Sequence, residues 1–113
     1  MKLEAERHGD ALVVTVDSKR LDAANAVAFR DALVATASDG AGARVVVDLG
    51  KVELVDSSGL GALVSALKVI RRTSPAALCS LQKPVANLMR LTRMDRMFTI
   101  HADAAAAAAQ VDE

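Results

Sequence analysis

"VELVDSSGLGALV", residues 52–64, decides how this chain is read. An extended apolar run stops at Asp56, and two serines and two glycines follow. From Ser58 onward, Leu60, Leu63, Val64, Leu67 and Ile70 recur at three- and four-residue spacing. That period predicts an amphipathic helix with those side chains on the core face. It ends near "KVIRR", where cations complement the negative end of the helix dipole. On this reading Ala62, Ser65, Ala66 and Val69 face outward as a small, weakly apolar strip, either ordinary surface or a docking strip. The junction is a strand-to-helix turn carrying a carboxylate and two hydroxyls. These groups can be helix caps, a hydrolase nucleophile, an anion cradle, or a site that another enzyme modifies.

Upstream, "RVVVDLG" (44–50) is a short β-branched run, the pattern of a strand buried on both faces. "LEAERHGDALVVTVDS" predicts a hairpin, with runs Leu3–Arg7 and Ala11–Val16 around a glycine turn. "RLDAANAVAFRDALVATASDGAG" predicts a helix capped by Asp22, with Phe29 and Leu33 facing the core and glycine chemistry at 38–42 ending it. Downstream, "TSP" breaks the chain before a buried strand "AALCSLQ" (76–82). Pro84 suits the first turn of a further helix. "MFTIH" (97–101) is a candidate last strand, and the alanine-rich tail reads as a helix that frays at its acidic end. The order β-β-α-β-α-β-α-β-α predicts an α/β fold, helices packed on a mostly parallel sheet. Without repeats or linkers, residues 1–113 are expected to form one domain.

Composition narrows the function. Lys+Arg and Asp+Glu are equal at 14 each, so no basic footprint points to nucleic acid or anionic membrane. With no Trp or Tyr and two Phe, there is no platform for stacking bases. Cys79 is the only cysteine and sits in an apolar stretch, which predicts a small buried hydrophobe and excludes an intrachain disulfide. No apolar run approaches a membrane span and no apolar leader opens the chain, so a cytoplasmic protein is expected.

The chemical readings of the junction separate by what each lacks. A hydrolase elbow needs G-x-S-x-G, but Val55 stands two before Ser57. The only bases, His8 and His101, sit in no motif. A P-loop is missing, and Asp56 would repel a phosphate. No cluster of His, Cys and carboxylates has metal-ligand spacing, and no cofactor is expected. Asp56, Ser57 and Ser58 are all good caps, yet one suffices. Gly59 and Gly61 each cost a helix about 1 kcal/mol, which suggests a close approach to the backbone. A modification site accounts for these choices together. A phosphoryl group at the positive end of a helix is tolerated by the fold and would reject a docked partner.

At this point "VDLGKVELVDSSGLGALVSALKVIRR" resembles the signature of the STAS domain, the sulfate transporter and anti-sigma factor antagonist family, in its bacterial stand-alone antagonist form. With "PVANLMRLTRMDRMFTIHAD", the resemblance covers nearly the whole chain. It implies a non-catalytic module of signal transduction and transcription regulation that works by partner switching. The unphosphorylated form binds an anti-sigma factor, a serine kinase with a histidine-kinase-like ATPase fold. Phosphorylation breaks the complex, and a serine phosphatase resets it. The acceptor position matches Ser57, the signature aspartate Asp56, and an auxiliary site Ser58. Gly59, Leu60, Gly61 and the outward strip Ala62, Ser65, Ala66 and Val69 fall on the implied docking surface, and Leu21–Asp22 matches an "LD" whose acid sits near the acceptor. The chain departs from the family in "SKRLD", which lacks the usual glycine, and in "RRTSP" before the strand. The alternative implied by the family is a non-catalytic subunit of a transport ATPase complex or a stress-signalling scaffold. A nucleotide-binding variant is the remaining enzyme-like reading.

Overall fold

The β-branched runs form the centre of a sheet. In the computed structural model, which describes residues 1–40 and 43–109, strand β2 (Ala11–Val16) and strand β4 (Arg44–Asp48) lie side by side and parallel. Val13, Val14, Val45, Val46 and Val47 are all buried, as expected of strands covered on both faces. Strand β1 (Leu3–His8) pairs antiparallel with β2 through the hairpin, and Gly9 takes the positive φ of its turn. Strands β6 (Ala76–Cys79) and β7 (Thr99–His101) extend the parallel side, giving the order β1-β2-β4-β6-β7. The outer strand β1 is exposed along most of its length, and Glu4, Glu6 and Arg7 blunt that edge.

Helices α1 (Ala26–Asp39), α2 (Ser57–Ile70) and α3 (Lys83–Leu91) bury Phe29, Leu33, Leu63, Leu67, Val85 and Met89 in one core with alternate residues of the sheet. The short helix α4 (Ala104–Ala109) covers the opposite face, where Ala107 packs with Ala11, Val13, Val46 and Cys79. Asp103 caps α4, its Oδ1 accepting from Ala106 N–H at 2.8 Å. The α/β class and the mostly parallel sheet with four helices match the sequence reading.

Three local readings are corrected. Helix α1 begins at Ala26, not at Asp22; residues 22–25 form a turn in which Asp22 Oδ1 accepts from Ala24 N–H at 3.0 Å. Asn25 holds that turn by accepting from Asp22 N–H and donating to the Arg20 carbonyl, so Asp22 caps the turn and not the helix. Next, the extended run that stops at Asp56 holds a strand that the order read from sequence does not count. Asp48 accepts from Gly50 N–H and turns the chain, Val52 is buried, and a separate two-residue strand β5 (Leu54–Val55) pairs parallel with β3 (Arg20–Leu21).

Finally, the face of α2 is rotated from the expected one. Gly59, Ala62, Leu63, Ala66, Leu67 and Ile70 are buried, while Leu60 and Val64 are only half-buried. Ala62 and Ala66 therefore belong to the core and not to an outward strip. Both phases fit a 3.6-residue period, and the small side chains give the weaker apolar signal. Ala62 and Ala66 join the core cluster beside Leu63, Leu67 and Ile70. The glycine ending read at 38–42 is met at Gly40, the C-cap of α1, whose N–H donates to the Ala37 carbonyl. Ala41 and Gly42, and the acidic tail at 110–113 where fraying is expected, lie outside the described residues.

Candidate functional site

Asp56 organises the junction. Its backbone is extended (φ −91°, ψ −177°), and its Oδ1 accepts from Gly59 N–H at 2.9 Å, so it is the N-cap of α2. Its Oδ2 accepts from Ala23 N–H at 3.3 Å, and its own N–H donates to the Leu21 carbonyl at 3.0 Å. One carboxylate thus ties the start of α2 to the Asp22 turn, residues 33 positions apart. Asp22 and Asp56 line one small depression with Arg20, Leu21, Leu54 and Val55.

With Asp56 as the cap, the two serines are left over. Ser57 and Ser58 are exposed in the first turn of α2, and among the described residues neither hydroxyl makes a hydrogen bond. The two glycines also separate. A Cβ on Gly59 would stand 2.0 Å from the Leu21 carbonyl oxygen, so the fold itself requires glycine there. Gly61 is exposed, and a Cβ there would meet nothing within 4 Å. Packing gives no reason for its lack of a side chain.

Ser57 opens onto a groove of about 670 Å³ lined by Leu60, Gly61, Val64, Ser65 and Val69 of α2, by Arg30 of α1, and by Met94 beyond α3. Arg30 spans the two helices, its Nε donating to Ser65 Oγ at 2.8 Å. Lys68 and Arg72 complete the rim. Of the residues named from sequence, Ser57, Leu60, Gly61, Ser65 and Val69 line this groove, and Ser58 is exposed beside it. Gly59, Ala62 and Ala66 are buried and offer no surface. Sequence reasoning missed Arg30, Lys68, Arg72 and Met94 as groove residues. Arg30 and Met94 reach it by tertiary packing that no local pattern encodes.

Neither histidine serves the serines. His8 ends β1 and pairs with Glu6 at 3.8 Å, and His101 lies on β7 at the other edge of the sheet; neither lines the groove. Among the described residues no group of His, Cys, Asp and Glu is placed to hold a metal ion, and no helix is long and apolar enough to cross a membrane. Cys79 is fully buried, and burial, reinforced by the nearby Asp48 charge, pushes its thiol up to about 11. It is a packing residue.

The family model for the STAS domain matches residues 2–107. The chain belongs to the STAS domain family. Solved STAS neighbours share its architecture. An anti-sigma factor antagonist (STAS) domain protein from Planctomyces limnophilus is 21% identical, with 94% of this chain and 93% of that chain covered and a TM-score of 0.79. An anti-sigma factor antagonist from Mycobacterium paratuberculosis is 24% identical over 95% of this chain and 89% of that chain, also at 0.79. The antagonist SpoIIAA in its unphosphorylated form is 14% identical over 98% and 100%, with a TM-score of 0.71. The Bacillus SpoIIAA in its phosphorylated form is 13% identical over 94% and 96%, at 0.63. At these identities the likeness establishes the fold.

Proposed function

We propose that this STAS domain is an anti-sigma factor antagonist whose binding is switched by phosphorylation at Ser57. The unmodified protein binds a serine-kinase anti-sigma factor with a histidine-kinase-like ATPase fold across the start of α2. The Ser57 hydroxyl oxygen attacks the γ-phosphorus of the ATP held by that kinase. The bond to ADP breaks, and the hydroxyl proton passes to a base of the kinase. A separate serine phosphatase restores the hydroxyl. In this reading the protein is a binding module of cytoplasmic signalling and not an enzyme.

The observation that carries the reading is the division of labour at the junction. Asp56 alone caps α2, which leaves Ser57 exposed, unbonded and at the positive end of the helix. A phosphoryl group there changes the surface without costing the fold a cap. Its charge of roughly −1.5 to −2 falls beside Asp56, and each ~1.4 kcal/mol of repulsion against a partner is a factor of ten in affinity. Asp22, held against Asp56 by the Ala23 hydrogen bond, belongs to the same surface. Ser58 is an auxiliary acceptor. That one of the solved neighbours, SpoIIAA, exists in phosphorylated and unphosphorylated forms supports the analogy.

The test is a pull-down from native lysate with ATP, using wild-type, Ser57→Ala and Ser57→Asp baits. The reading expects a histidine-kinase-like ATPase on Ser57→Ala that is lost on Ser57→Asp. Capture of one transport complex or scaffold by all three baits would replace it with the non-catalytic subunit reading.

A further inference from the structure

The groove beside Ser57 has a charge pattern that the switch alone does not use. Its floor is apolar, from Leu60, Val64, Val69 and Met94. Its rim carries Arg30, Lys68 and Arg72, and no carboxylate is among the residues that line it. The chain as a whole has 14 basic and 14 acidic residues, so this segregation is local. Asp31 meets Arg30 at 3.2 Å, but that exposed pair is worth little in water. Lys68 and Arg72 are exposed and make no ion pair or side-chain hydrogen bond among the described residues. Gly61 lines the groove too, and the space where its Cβ would stand is open.

We infer that this groove seats an acidic amphipathic helix of the partner, apolar face down on Leu60, Val64, Val69 and Met94, with carboxylates on Lys68, Arg72 and Arg30. The open space at Gly61 admits one apolar side chain of that helix, as ridges enter grooves in helix packing. The inference rests on the switch reading for the identity of the partner and extends it. Ser57 lines the same groove, so a phosphoryl group brings roughly −1.5 to −2 charges against three formal positive ones. Phosphorylation then releases the partner by cancelling the attraction along the groove, in addition to any clash at the serine.

The experiment uses the whole protein, labelled with ¹⁵N, and two synthetic helical peptides of about four turns. Both carry leucines on one face; one has Glu and the other Lys elsewhere. The Glu peptide is expected to shift the amides of residues 60–69, to bind at least about tenfold tighter than the Lys peptide, and to weaken as salt is raised. Lys68→Glu with Arg72→Glu should reverse that preference, and an otherwise unchanged spectrum shows that the fold is intact. Equal binding of both peptides, shifts elsewhere on the surface, or no shift with either peptide overturns the inference.

The same double variant used as a lysate bait separates the two claims. Undiminished kinase capture by Lys68→Glu/Arg72→Glu removes the groove as the seat and leaves the Ser57 switch standing. Peptide binding in the groove without any Ser57-dependent capture does the reverse.

Discussion

Gly59 lies against the backbone carbonyl of Leu21, so closely that a Cβ would stand 2.0 Å from the oxygen. This contact brings α2 down onto β3 and sets Asp56 where it reaches both Gly59 and Ala23. Gly59→Ala must force α2 away from β3, because the obstructing atom is backbone. The expected loss is about 3 kcal/mol or more, at the upper end of overpacking effects, read from the urea midpoint. A Gly59→Ala protein with wild-type stability would show that the close approach is not required.

Gly61 should behave in the opposite way. A Cβ there meets nothing and the position is helical, so Gly61→Ala is expected to raise stability by about 0.5–1 kcal/mol. The same methyl narrows the groove that Gly61 lines and should weaken partner capture. Stability and binding moving in opposite directions mark a glycine kept for a surface.

The caps can be told apart by the same measurement. Asp56→Ala removes the N-cap bond and the tie to Ala23, and should cost about 1–2 kcal/mol. Ser57→Ala removes a hydroxyl that bonds nothing and should stay within about 0.5 kcal/mol of wild type. A cost at Ser57 equal to that at Asp56 would make the serine a cap after all.

Much of this was legible in the sequence, and the reasons are specific. Val13, Val14, Val45, Val46 and Val47 announce buried strands because β-branched side chains without alternation fit only a sheet covered on both faces. "DSSGLG" marks the strand-to-helix junction because it stacks cap residues on glycines. The phase of α2 was misread because Ala62 and Ala66 bury little area each, while Leu60 and Val64 look like core and sit at its margin. The strands β3 and β5 were missed because two residues carry no periodicity; they exist through pairing across the fold. Arg30 and Met94 join the groove by the same kind of long-range packing.

Arg44 opens strand β4, was read from sequence as part of an apolar run, and is a buried cation instead. It donates to the carbonyls of Ala107 and Ala108, each at 2.8 Å, and meets Asp10 at 3.3 Å. Those carbonyls belong to the last described turn of α4. Arg44→Met should remove both of these bonds, cost about 1–3 kcal/mol, and speed amide exchange in α4 before the rest of the chain. Unchanged exchange in α4 would show that its apolar contacts suffice to hold it.

Cys79 supplies a pH prediction. Burial favours the neutral thiol, raising its pKa from the ordinary 9.0 to about 11. The folded state binds the proton more tightly than the unfolded one, so this contribution is full below pH 9 and is lost as pH rises toward 11. In the native protein Cys79 should resist alkylation at pH 8, and it should react promptly in denaturant. The fall in stability above pH 9 should be shallower in Cys79→Ala than in wild type, once their neutral-pH stabilities are matched. Rapid native-state alkylation would contradict the buried thiol.

The central claim is that Ser57 is the switch. The measurement that tests it most directly incubates the protein with the captured kinase and ATP, maps the phosphate by mass spectrometry, and compares the affinity of the two forms. The account predicts phosphate on Ser57, none on Ser57→Ala at that position, and affinity for the kinase lowered at least about tenfold by the modification. Phosphate confined to another residue, or equal affinity of the modified and unmodified forms, would contradict it.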